Sequence, residues 1–128
     1  MGKVVHFEVP AENMARAQRF YESVFGWHIL PMPDMHYTMA HTGPTDDKNG
    51  MPKTAGFING GIMQRKDIKG PVIVMEVKSV DEAVKKAEAS GSKVVRPKVR
   101  VGNMGYVAYI TDSEENVIGI WETISKTT

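Results

Sequence analysis

With no cysteine among its 128 residues, the chain must draw any metal ligand from its four histidines, its Asp and Glu side chains or water. Disulfides, iron–sulfur clusters and thiolate nucleophiles are excluded by the same absence. His6 lies in the run VVHFEV from Val4 to Val9. A neutral imidazole there can act as general base, hydrogen-bond partner or metal ligand. Glu8 shares its side of the alternation, and Glu76 ends the comparable run VIVME later in the chain. Two carboxylates in one partly dry pocket push one pKa upward, which makes an acid–base pair. His6, Glu8 and Glu76 are therefore the catalytic candidates; a sheet histidine with an internal hydrogen bond and salt-bridged carboxylates are the plain alternatives. His36 and His41 fall on opposite faces of any strand, so they cannot form a joint metal site, and His28 reads as a surface residue. Arg96, Lys98 and Arg100 alternate around Pro97, as expected of a solvated edge or of a contact to an anion. Neither a phosphate-binding glycine motif nor a G-x-S-x-G elbow is present.

The elements that must hold these residues repeat. A strand from Val4 to Val9, ended by Pro10, precedes a helix capped by Asn13, with Met14, Ala17, Phe20, Tyr21 and Val24 on its apolar face and Gly26 as its stop. Strands follow at Trp27 to Leu30 and His36 to His41, separated by the proline-containing PMPDM segment; a long polar loop from Thr42 to Gly56 then leads to a strand at Phe57 to Met63. The second half opens with a strand at Val72 to Val77. Its helix starts with the capping-box sequence Ser79 to Glu82, buries Val80, Ala83, Val84 and Ala87, and stops at Gly91. Strands at Lys93 to Arg96, Tyr106 to Thr111 and Val117 to Glu122 complete it. Each half is β-α-β-β-β, and the fold class is α+β. On the closing strands, Asn59, Met63, Val117 and Trp121 alternate with helix-facing residues, so they offer an amide, a thioether, an isopropyl group and an indole to a ligand.

Composition sets the outer limits. Hydrophobic residues at 41% and charged residues at 24% suit a globular protein, and a formal charge of +1 gives no broad attraction for nucleic acid or an anionic membrane. The opening residues resemble neither a signal peptide nor a membrane span, so the expectation is a cytoplasmic protein of one domain over residues 1–128, with modules at about 3–66 and 70–124.

Two stretches carry a family resemblance. HFEVPAENMARAQRFYESVFGW, from His6 to Trp27, and GYVAYITDSEENVIGIWE, from Gly105 to Glu122, resemble the opening and closing signatures of single-domain members of the vicinal oxygen chelate superfamily, which includes glyoxalases, bleomycin-resistance proteins and dioxygenases. The likeness spans nearly the whole chain and implies two βαβββ modules whose curved mixed sheets form a cup. The family turn Asp-Pro-x-Gly-Asn reads DSEEN here, with Glu115 in place of a glycine that favours positive φ.

The resemblance also implies where metal ligands would stand: on the first and last strand of each module. The four positions carry His6, Gly61, Val74 and Gly119, so His6 is the one ligand-type residue kept. A catalytic metal site normally takes about three protein ligands. The expected function is therefore a glyoxalase-like small-molecule-binding protein without the usual catalytic metal, its ligand touched by His6, Glu8, Asn59, Met63, Val74, Glu76, Val117 and Trp121. That lining suits an apolar or aromatic ligand. No cofactor is expected; a divalent metal belongs to the alternative, a lactoylglutathione lyase-type isomerase or a dioxygenase. A bleomycin-type drug-sequestering protein is the third reading, and the resemblance implies a homodimer. Whether the chain is an enzyme stays open at this point.

Overall fold

Residues 2–124 are described by the structure, a computed structural model. They follow the order β1 (Val4–Ala11), α1 (Met14–Phe25), β2 (His28–Met32), β3 (Tyr37–His41), β4 (Asn59–Gln64), then β5 (Val72–Glu76), α2 (Val80–Ala89), β6 (Val94–Val101), β7 (Gly105–Thr111) and β8 (Val117–Thr123). The fold is α+β, with two βαβββ modules. The chain separates into two compact units, one of His6–Pro71 and the other of Val72 onward together with the residues up to Val5. Among the described residues no helix is long and apolar enough to cross a membrane.

In the first unit the strands lie in the order β2-β3-β4-β1. β1 and β4 are parallel, joined through the helical crossover that parallel pairing requires, and the other neighbours are antiparallel. Asn13 caps α1 by accepting the Arg16 amide at 2.9 Å, and Gly26 closes the helix in the left-handed conformation. One sheet face, carrying Phe7, Thr38, Ala40 and Ile62, is covered by the helix: Gln18 Nε2 donates to Thr38 Oγ1 at 2.6 Å, and Phe7 meets Trp27 at 5.4 Å between ring centroids. His6, Glu8, Asn59, Gly61, Met63, Tyr37 and Met39 share the opposite face by register.

The second unit orders its strands β5-β8-β7-β6. Ser79 caps α2 by accepting the Glu82 amide at 3.1 Å, and the Glu122 carboxylate accepts the Val80 amide at 2.9 Å. Val80, Ala108, Ile110 and Ile120 form the core under this helix.

Three local expectations need correction. Pro10 does not end β1, because its missing N–H costs a single donor while Ala11 O still accepts the Arg65 amide at 2.9 Å and Pro10 stays in register with Met63. Phe20 and Val24 are exposed, at 52% and 57%; the inward stripe of α1 runs instead through Met14, Ala17, Gln18 and Tyr21, where a polar Gln18 hid the true face. β6 continues through Pro97 to Val101 as the outer strand of its sheet, with register shifts that absorb the proline.

Candidate functional site

In the first module β1 and β4 set His6 beside Asn59, Glu8 beside Gly61 and Pro10 beside Met63. β3 then adds Tyr37 opposite Met63 and Met39 opposite Gly61. The phenol of Tyr37 crosses β4 and brings its Oη within 2.7 Å of His6 Nε2. It crosses directly over Gly61, where a Cβ would collide with the phenol Oη, Cζ and Cε1. The glycine at the position of a possible acidic ligand thus makes room for an aromatic ring from the next strand.

Burial and a neighbouring charge act in opposite senses on the histidine of this face. Burial holds the His6 imidazole below its ordinary value of 6.5, and the Glu8 charge opposes that shift without cancelling it. Glu8 itself is buried, at 5% exposure. Asn59 ties the preceding loop to β4: its Oδ1 accepts the Thr42 amide at 2.9 Å and its Nδ2 donates to Thr45 Oγ1 at 2.9 Å. His41 shares the face of Tyr37 and meets His28 across the β2–β3 pair at 5.9 Å between rings, whereas His36 sits exposed at a left-handed turn. Burial, and then the neighbouring His28, lower the His41 pKa, against the pull of Asp47.

The second module presents a different set. Val74, Gly119 and Tyr109 form one row across β5, β8 and β7, and Glu76, Trp121 and Val107 form the next. A Cβ on Gly119 would stand 2.9 Å from Val74 Cγ2 and 3.5 Å from the Tyr109 ring. Trp121 Nε1 donates to Thr123 Oγ1 at 2.9 Å, and that hydroxyl lies 3.4 Å from Glu76 Oε2. Lys3 Nζ approaches Glu76 at 3.9 Å. The indole edge and this carboxylate are thus engaged within their own module, while Val117 lies half-buried on the same face as Trp121. Arg96 sits over the Tyr109 ring at 5.3 Å.

Neither module by itself offers a catalytic metal the donors it takes. Gly61 is overlain by a phenol, Gly119 abuts an isopropyl group and a second phenol ring, and Val74 has no lone pair. Among the described residues no three His, Asp or Glu side chains are grouped to hold an ion. Tyr37 was not among the residues singled out from the sequence. The signal that would have found it is an aromatic residue on the strand next to a glycine at a chemically important position, legible once the β3–β4 register is known.

A family model described as Bleomycin resistance protein-like N-terminal matches residues 3–43. No curated protein matches the chain. Among solved structures, a hypothetical protein, BH1468 from Bacillus halodurans C-125, is 12% identical with a TM-score of 0.64, covering 99% of this chain and 98% of that one. A Streptomyces coelicolor methylmalonyl-CoA epimerase in complex with 2-nitronate-propionyl-CoA is 13% identical with a TM-score of 0.63, covering 98% of this chain and 99% of that one. The methylmalonyl-CoA epimerase from Mycobacterium tuberculosis is 17% identical with a TM-score of 0.59, covering 98% and 89% respectively. At such identities the likeness concerns the fold.

Proposed function

Taking the chain as a member of the vicinal oxygen chelate superfamily, by its fold and its bleomycin-resistance-like opening segment, we propose that it is a glyoxalase-like protein that binds a small molecule without a catalytic metal. The observation that carries this reading is the Tyr37 ring over Gly61: the space a carboxylate ligand would need is filled by a phenol bonded to His6. The polar contacts for the ligand are His6 and Glu8 in the first module, with Met63 as its apolar partner there and Asn59 anchoring the adjoining loop. The second module has an apolar and aromatic surface of its own, Val74, Val117 and Trp121 beside Glu76, that suits a ligand of the same kind. The protein would act as a homodimer, the two-fold pair being the commonest form of soluble oligomer.

The family match over residues 3–43 favours, as a second reading, sequestration of a bleomycin-type drug. The isomerase, lyase and dioxygenase readings need metal ligands that Gly61, Val74 and Gly119 do not supply.

Metal analysis of protein purified without chelator, followed by titration with Zn, Ni, Mn and Fe, tests the proposal. Sub-stoichiometric metal and no saturable uptake are expected. One tightly held equivalent whose binding is lost in His6→Gln would overturn it.

A further inference from the structure

We infer that the outer stripe of α1, formed by Arg16, Phe20 and Val24, is the seat of a second copy of this chain, packed helix against antiparallel helix about a two-fold axis at Phe20. This deepens the homodimer reading by naming its surface, and it rests on that reading.

The apolar face comes first. Phe20, Val24 and Phe25 are 52%, 57% and 60% exposed and stand together at the C-terminal end of α1, a contiguous patch where scattered single side chains would need no explanation. The patch is held from behind. Phe7, on the helix-covered face of the sheet, meets Trp27 at 5.4 Å between ring centroids. Trp27 stacks on Tyr21 at 4.7 Å, and Tyr21 meets Phe20 edge-on at 5.3 Å. Phe25 closes the cluster at 6.1 Å from Phe20 and 6.0 Å from Trp27. Rings ordered before a partner arrives lose little freedom on docking, and aromatic residues with Arg are the types enriched at such contacts. α1 also gains from cover: it has 12 residues and none of them fully buried, and a helix of that length is marginal without packing.

Charge then selects the occupant. A helix favours anions at its N-terminus and cations at its C-terminus. α1 is charged the other way: its first turn has no acidic residue and carries Arg16, and its last turn has no basic residue and carries Glu22. Neither side chain forms an ion pair among the described residues, and Glu12, just before the cap, is already held by Arg65 at 3.1 Å. A second α1 running the opposite way brings each Arg16 to the carbonyl end and Glu22 side of its partner, so two unfavourable ends become two favourable contacts. Spacing agrees with this. Arg16, Phe20 and Val24 are four residues apart on one side of the helix, so a two-fold rotation about Phe20 sets that ring on its own copy and each Arg16 opposite a Val24. An anionic membrane is a poorer match, because Glu22 and the carbonyl end repel it and a formal charge of +1 attracts it little.

Sedimentation equilibrium on the full chain, from about 5 to about 300 μM, tests the pairing. A reversible monomer–dimer equilibrium with Kd of about 1–100 μM is expected, since one helix pair lies at the small end of specific interfaces. Phe20→Ser, Arg16→Glu and Val24→Arg each change an exposed side chain, so the far-UV circular dichroism should stay that of the wild type while each weakens the dimer by about tenfold or more. Equal parts of Arg16→Glu and Val24→Arg protein should associate again, to within about threefold of the wild type, because the mixed pair has one contact of opposite charge and one native contact. Wild type that stays monomeric throughout overturns the inference and the homodimer reading together. A dimer that any one of the three variants leaves at wild-type strength, or a mixture that stays apart, overturns the inference and leaves the homodimer reading standing. Monomer that binds anionic phosphatidylglycerol vesicles through Phe20 makes α1 a membrane face, and the inference falls.

Discussion

At the scale of single residues, His6 shows how burial and a neighbouring charge compete. Removing an imidazole from water disfavours its cationic form, and here this outweighs the Glu8 attraction, so the folded protein binds a proton to His6 less readily than the unfolded chain does. Between the lowered folded value and the ordinary 6.5, the unfolded state holds more protons. The stabilisation is then fully present above about pH 6.5 and is lost as pH falls below that value towards the folded pKa. His41 is lowered in the same direction and adds to the same slope. His6→Gln removes only its own share. Urea midpoints measured from pH 7.5 down to 5.5 should fall more steeply for the wild type than for His6→Gln; parallel curves would show that His6 titrates alike in both states.

At the scale of elements, the turn between β7 and β8 carries a residue in an awkward conformation. Glu115 has φ of 66°, in the left-handed region where a Cβ crowds the following carbonyl. Asp112 holds the turn regardless: Oδ1 accepts the Glu114 amide at 2.8 Å and the Asn116 amide at 2.9 Å, and Oδ2 accepts Asn116 Nδ2 at 3.0 Å. These bonds to the Asn116 side chain and to the backbone amides lower the Asp112 pKa. Its stabilising effect is accordingly present above the ordinary aspartate value and disappears as pH falls through the lowered one. Glu115→Gly relieves the backbone strain but frees the unfolded chain, and the net gain expected is about 0.5–1 kcal/mol, read as a higher urea midpoint. An unchanged or lower midpoint would mean that Glu115 is not strained. The sequence already pointed to this position, because turn chemistry is local and a missing glycine is visible in one line of residues. Asn13, Gly26 and Ser79 were legible for the same reason. The Tyr37–His6 contact was not, since it depends on the register of β3 against β4, and that register follows from packing over residues far apart in the chain. The inward face of α1 was misjudged at Phe20 and Val24 because a helix face is set by what it packs against, and Gln18 is inward for the sake of Thr38.

At the scale of the whole molecule, the two helices are secured unequally. α1 has no fully buried residue, and Phe20, Val24 and Phe25 stand exposed along it. α2 buries Val80 completely against Ala108, Ile110 and Ile120, with Ala83, Val84 and Ala87 packed on the same cluster. The Glu122 carboxylate also holds its first turn at the Val80 amide. Opening free energy follows buried apolar contact, so amides of α1 should exchange through cheaper local openings than those of α2 and the β7–β8 pair. Native-state hydrogen exchange in low urea measures this directly. The amides of residues 18–25 should exchange with lower opening free energy than those of residues 84–89. The test belongs at low protein concentration, because a homodimer that covered the exposed aromatics of α1 would slow exchange there as concentration rises. Equal protection of the two helices in dilute protein would contradict the assignment of the firmer core to the second module.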